Sequence, residues 1–154
     1  NMKSFYVAKN EIQDDDVVFT TSDLYCDFKN IENFIHSDSK NKILLDLDKS
    51  NYSGDEVLVQ INRGSITRCS KKLEYFDGLA IGVYKFENNF INEMLNYCEH
   101  INDNGIFHQS LYYAIDATIS KDFKIEPIST INNLWFDIDT YEEFIEAKKQ
   151  LNAD

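Results

Sequence analysis

An α/β sandwich built on a mixed sheet, with one antiparallel hairpin inserted, is the fold class the sequence predicts. Three observations carry it. Short apolar, β-branched runs alternate along the chain with segments whose apolar residues recur at helical spacing. Two β-rich runs flank the turn Asn62-Arg63-Gly64-Ser65, which is a hairpin signal. Acidic residues punctuate the ends of two of the apolar runs.

Taken in order, residues 2–12 read as a helix, with Phe5, Ala8, Lys9 and Ile12 loosely on one stripe. Residues 16–21 (Asp16-Val17-Val18-Phe19-Thr20-Thr21) follow an acidic turn. They read as a buried strand of a parallel sheet that ends at Ser22-Asp23. A helix over 28–36 places Ile31, Phe34 and Ile35 on one face, and 42–48 is a second apolar run and a strand. Residues 56–61 and 66–70 are the hairpin strands. Residues 78–86 form a core strand carrying Gly78 and Gly82; glycine inside a strand marks the close approach of another backbone or a ligand. In the helix over 89–101, Phe90, Ile91, Met94, Leu95, Cys98 and Ile101 share a face, and Asn102-Asp103-Asn104-Gly105 terminates it. A further helix over 108–119 carries Leu111, Ile115 and Ile119. Short strands follow over 124–129 and 133–138, and Pro127 assigns the first to a sheet edge. The last helix, 140–151, opens with the capping box Thr140-Tyr141-Glu142-Glu143.

Composition narrows the function classes. A chain of 154 residues with 43% hydrophobic and 14% aromatic residues buries a real core, which excludes a disordered polypeptide. The net charge of −12 repels a nucleic-acid backbone, so no nucleic-acid partner is expected; a small anionic substrate remains compatible where a metal or a local basic cluster overrides the field. No apolar run is long enough for membrane insertion, and residues 1–13 lack a signal-peptide pattern. The cysteines Cys26, Cys69 and Cys98 are odd in number and have no CxxC spacing. This argues for buried free thiols in a reducing, cytoplasmic compartment.

The candidate chemistry sits where strands end, since ligands of open α/β sheets bind outside the carboxyl ends of strands. Asp23, with Asp27 four residues on, follows one strand; Asp137 and Asp139 follow another. Carboxylates from separate strands can hold one Mg²⁺, which also takes substrate phosphates and waters. The same residues also suit turn and helix capping. Asp46-Leu47-Asp48 is a second D-x-D pattern, and His36, His100 and His108 show no spacing for a metal site or triad. Ser70-Lys71-Lys72, with Arg63 and Arg68 nearby, is the main basic cluster and suits either a phosphate or a solvated strand end.

These segments, in this order, resemble the sugar and choline nucleotidyltransferases, which include phosphocholine cytidylyltransferases and sugar-1-phosphate nucleotidyltransferases. The run from Asp14 to Asp23 resembles the family's metal-binding strand end, with Ser22 in place of the usual glycine. The hairpin running into Ser70-Lys71-Lys72-Leu73 and the strand from Gly78 to Phe86 are similar to the family's hairpin and acceptor strand. Trp135-Phe136-Asp137-Ile138-Asp139-Thr140-Tyr141-Glu142-Glu143-Phe144 resembles its C-terminal W-x-D-I-D-T signature.

The resemblance implies a partial nucleotide-diphospho-sugar transferase-like, Rossmann-like sandwich. Residues 1–154 would be a single domain, the C-terminal two-thirds of the enzyme, because no glycine-rich nucleotide loop precedes Gly54. It implies Mg²⁺ as cofactor, bound by Asp23 and by Asp139 or Asp137, with Lys71 meeting a phosphate. Gly82 would lie under the acceptor, and Tyr84, Tyr112, Tyr113 and Trp135 are candidates for the acceptor wall. Such a wall suits a quaternary ammonium through cation–π attraction. The substrates implied are an NTP, with CTP foremost, and a phosphorylated acceptor such as phosphocholine or a sugar-1-phosphate. The uncovered flank of a partial sheet suggests a homo-oligomer or another paired chain. Two alternatives remain: a glycosyltransferase of the related fold using a D-x-D metal site, and a non-catalytic truncated binding domain.

Overall fold

The computed structural model describes residues 2–12, 14–101 and 108–152. The elements, in chain order, are α1 (Met2–Val7), α2 (Lys9–Ile12), β1 (Val17–Thr20), β2 (Leu24–Cys26), α3 (Phe28–His36), β3 (Lys42–Asp46), β4 (Val57–Asn62) and β5 (Ser65–Ser70). There follow β6 (Gly78–Phe86), α4 (Asn88–His100), α5 (Tyr112–Ile119), β7 (Glu126–Ser129), β8 (Trp135–Asp137) and α6 (Tyr141–Leu151). Among the described residues, β5-β4-β6-β3-β7 form one mixed sheet that β1 joins along β6, while β2 and β8 form a separate antiparallel ribbon. The β3–β7 pair is parallel and the other pairs are antiparallel. Architecture and hairpin agree with the sequence reading, and β7, with Pro127, is an edge strand as expected.

Alternation along the strands makes two cores. Ile43, Leu45, Ala80, Tyr84 and Phe86 face α1, α4 and α5, where they meet Phe90, Met94 and Ile115. Leu44, Ile81 and Val83 point the other way and meet Phe34 of α3, so helices cover both faces of the sheet. Lys42, fully buried, reaches the end of α3 and donates from Nζ to the carbonyls of Phe34 and Ser37, closing a helix terminus that lacks partners of its own.

Several expectations are corrected. The 2–12 helix breaks at Ala8 into α1 and α2. The run 16–21 is not a buried parallel strand: β1 pairs antiparallel with β6, and its residues alternate between half-buried and exposed. An apolar β-branched run does not report strand direction, which is set by where the chain returns. Ile35 is 60% exposed and does not share the buried face of Phe34. The helix expected over 108–119 is α5, starting at Tyr112. The terminator Asn102–Gly105 lies outside the described residues, and α4 is capped at Ile101. Cys69 and Cys98 are buried, whereas Cys26 is half-buried.

Candidate active site

The central strand β6 positions the site. On one side it pairs with β3 along most of its length; on the other, β4 takes Gly78–Ala80 and β1 takes Val83–Phe86. Between them, Ile81 and Gly82 pair with neither strand. The register with β3 jumps at the same place, from Ile43↔Tyr84 to Leu45↔Ala80, so β6 is bulged there. Gly82 has φ +90°, and a Cβ on it would lie 2.6 Å from Thr21 Oγ1, so local backbone and close packing both demand glycine. The chain leaves β1 at Thr21, whose N–H donates to Gly82 O, and re-enters at Glu56 before β4. A cavity of about 640 Å³ is lined at this gap by Thr21, Glu56, Ile81 and Gly82.

Three carboxylates meet at the cavity. Asp23 arrives from the β1–β2 turn, Asp137 from the end of β8 and Asp139 from the corner before α6; each offers an oxygen, and the three lie within 4.8 Å of one another. The β2–β8 ribbon aligns them, with Leu24 opposite Asp137 and Ile138 N–H donating to Asp23 O at 3.0 Å. Asp23 Oδ1 is out of solvent and has no hydrogen-bond partner, an expensive state for a carboxylate oxygen. Burial, followed by the charges of Asp23 and Asp139, pushes the Asp137 carboxyl up to about 6, while Lys71 pulls it down. A divalent cation fits this donor set: hard oxygens, excess negative charge and one orphaned oxygen already desolvated.

The other expected site residues also line this cavity: Lys71, Gly82, Tyr84, Tyr112 and Trp135. Tyr84 and Tyr112 are buried, and Tyr84 stacks on Phe19 with centroids 5.0 Å apart. Burial raises both phenols, so they stay neutral. Tyr113 stacks on Tyr112 but lies outside the cavity lining. The basic cluster disperses. Lys71 Nζ is 2.8 Å from Asp55 Oδ1, Arg68 pairs with Asp116, and Arg63 sits at the hairpin tip with φ +50°. Asp46-Leu47-Asp48 serves the fold. Asp46, 1% exposed, accepts from Trp135 Nε1, Asn51 Nδ2 and Asp48 N, and Asp48 caps the short 3₁₀ turn Lys49–Asn51. Of the two D-x-D patterns weighed in the sequence, only Asp137-Ile138-Asp139 faces the cavity.

Sequence reasoning missed the roles of two residues it had named. Asp46 anchors the Trp135 indole at the cavity wall, a contact between residues far apart in sequence that no local pattern signals. Glu143 was recognised only as half of a capping box, yet its carboxylate accepts from Asp139 N as well as Thr140 N.

No protein-family model matches the sequence, and no curated protein matches it. Solved structures do. The chain superposes on the inositol-1-phosphate CTP transferase from T. maritima with TM-score 0.75 and 13% identity, over 99% of this chain and 62% of that one. On a UDP-glucose pyrophosphorylase complexed with UDP-glucose the TM-score is 0.73 at 12% identity, over 99% and 61%. On the UDP-glucose pyrophosphorylase from Acinetobacter baumanii it is 0.70 at 13% identity, over 96% and 54%. The chain shares their fold. It spans about 60% of the length of the first of these structures.

Proposed function

We propose that this chain is the catalytic and acceptor-binding part of a nucleotidyltransferase that joins NMP from an NTP to a phosphorylated small molecule. The observation that carries the reading is the convergence of Asp23, Asp137 and Asp139 on one cavity, with an unpartnered buried oxygen among them. The likeness to nucleotidyltransferase structures supports it at the level of fold.

In the reaction, an acceptor phosphate oxygen forms a bond to the α-phosphorus of the NTP. The bond from that phosphorus to the bridging oxygen breaks, and pyrophosphate leaves with the electron pair. The protein positions two anions and neutralises their charge. Asp23, Asp137 and Asp139 would hold Mg²⁺, which when bound supplies that neutralisation. Lys71 exchanges Asp55 for a substrate phosphate, both groups lying on the cavity. Tyr84, Tyr112 and Trp135 form the apolar wall against which the acceptor is oriented, and Gly82 leaves room for Thr21 at its floor. The donor base expected from the sequence resemblance is cytosine, and the acceptors expected are phosphocholine or a sugar-1-phosphate.

The test is pyrophosphate release by the purified protein. CTP, UTP, TTP or GTP would be paired with phosphocholine or sugar-1-phosphates, with and without Mg²⁺. Release with one pair, lost in Asp23→Ala and Asp139→Ala, is the expected result. Silence with every pair sinks the reading, and free NDP as product replaces it with glycosyl transfer.

A further inference from the structure

We infer that Glu143 is a positioning residue for the carboxylate cluster, fixing the main chain of Asp139 and thereby the divalent-cation site. The inference rests on the metal reading above. In an ordinary capping box the N3 carboxylate accepts from the N-cap N–H. Here Glu143 Oε2 accepts from Thr140 N at 2.7 Å and also from Asp139 N at 2.8 Å, one residue further back. Thr140 Oγ1 accepts in return from Glu143 N at 3.2 Å.

The neighbouring residue is fixed from the other side. Ile138 N–H donates to Asp23 O at 3.0 Å, which ties the β8–α6 corner to the loop bearing Asp23. Asp139 therefore sits between two main-chain clamps, one to Asp23 and one to Glu143. Its own side chain is exposed, so the clamps, rather than packing around the carboxylate, set where its oxygens can lie. Groups that orient metal ligands in this way are worth about 10- to 100-fold in metal affinity. Glu143 also carries charge toward the cluster, and a charge effect has to be separated from a positioning effect.

The experiment is Mn²⁺ titration of the purified protein, read by electron paramagnetic resonance, with thermal unfolding run beside it. The parent chain is compared with Glu143→Ala, Glu143→Gln and Thr140→Ala. Glutamine keeps an oxygen that accepts both N–H groups but lacks the charge. Thr140→Ala loosens the helix start and leaves the Glu143 carboxylate free to hold Asp139. The expected result is about tenfold or greater weakening in Glu143→Ala, rescue by Glu143→Gln, and little change in Thr140→Ala.

The inference falls if Glu143→Ala binds like the parent. It falls equally if Glu143→Gln is as weak as alanine, which would make the effect one of charge, or if Thr140→Ala is as weak, which would make it helix fraying. Should the alanine variant fail to fold, Glu143→Asp replaces it, being one methylene too short to reach Asp139 N. A parent chain that binds no Mn²⁺ overturns the metal site itself and this inference with it, an outcome distinct from the other three.

Discussion

The unpartnered Asp23 Oδ1 makes a trade between stability and binding measurable at one atom. Asp23→Asn removes a charge from a crowded trio and leaves the backbone tie through Asp23 O in place. The metal-free Asn variant is expected to unfold at or above the parent's temperature. Its Mn²⁺ affinity is expected to drop at least about tenfold, since a charged ligand is lost. Calorimetric titration and thermal unfolding together check the pair of effects, and an unchanged affinity would remove Asp23 from the ligand set.

Asp137 adds a pH dependence whose sign follows from its raised pKa of about 6. Between the ordinary carboxylate range and 6, the folded metal-free chain binds a proton that the unfolded chain does not. Its contribution to stability is therefore present at low pH and is lost as pH rises through that window. A divalent cation competes with that proton, so the thermal shift produced by Mg²⁺ is expected to be larger above pH 6 than below it. Equal shifts on both sides would count against Asp137 as a ligand. Gly82 offers a purely steric test. Gly82→Ala is expected to destabilise by about 2–3 kcal/mol through its positive φ and the Thr21 contact. Adding Thr21→Ala should recover the contact part and leave the backbone part, as read by denaturant unfolding.

At the scale of elements, α6 is held mainly by its first turn. Ala147 is its buried residue, and the capping box joins it to the β8 corner. Thr140→Ala is expected to cost about 1 kcal/mol, confined to α6; amide exchange of residues 141–151 should quicken while the β6 amides keep their protection. Uniform quickening across both would show instead that α6 is coupled to the sheet. The sequence disclosed much at this scale. The hairpin, the glycine-bearing strand, the edge proline and the capping box all rest on local chemistry and were legible. Strand direction was not, because Val17-Val18-Phe19 carries the same apolar content either way. The β2–β8 ribbon was hidden for a related reason: Leu24-Tyr25-Cys26 is too short to announce a strand until Trp135–Asp137 lies beside it.

For the whole molecule, charge and site pull in opposite directions. A net charge of −12 discourages anions at long range, while the proposed substrates are two anions. The sequence placed the acids at strand ends and named the residues that converge. It could not show that Lys71 is committed to Asp55, or that Asp46 is consumed by Trp135, since both depend on which loops fold over the bulge in β6. The glycine at that bulge was visible as a strand interruption; that two other strands stop on either side of it was not.

The tie between Ile138 and Asp23 also has a consequence in time. It joins segments from near the two ends of the described chain, so every other described strand is already synthesised when β8 appears. Such distant closure comes late and slowly during folding. The large sheet up to β7 has all of its strands synthesised before β8 emerges, whereas the trio of acids exists only once β8 and the corner after it have docked. Cation binding at the proposed site would therefore report that this docking is complete. A nascent chain halted before Asp139 should hold much of its sheet and capture no Mn²⁺, so an ion at the proposed site would act after this docking rather than guide the earlier steps.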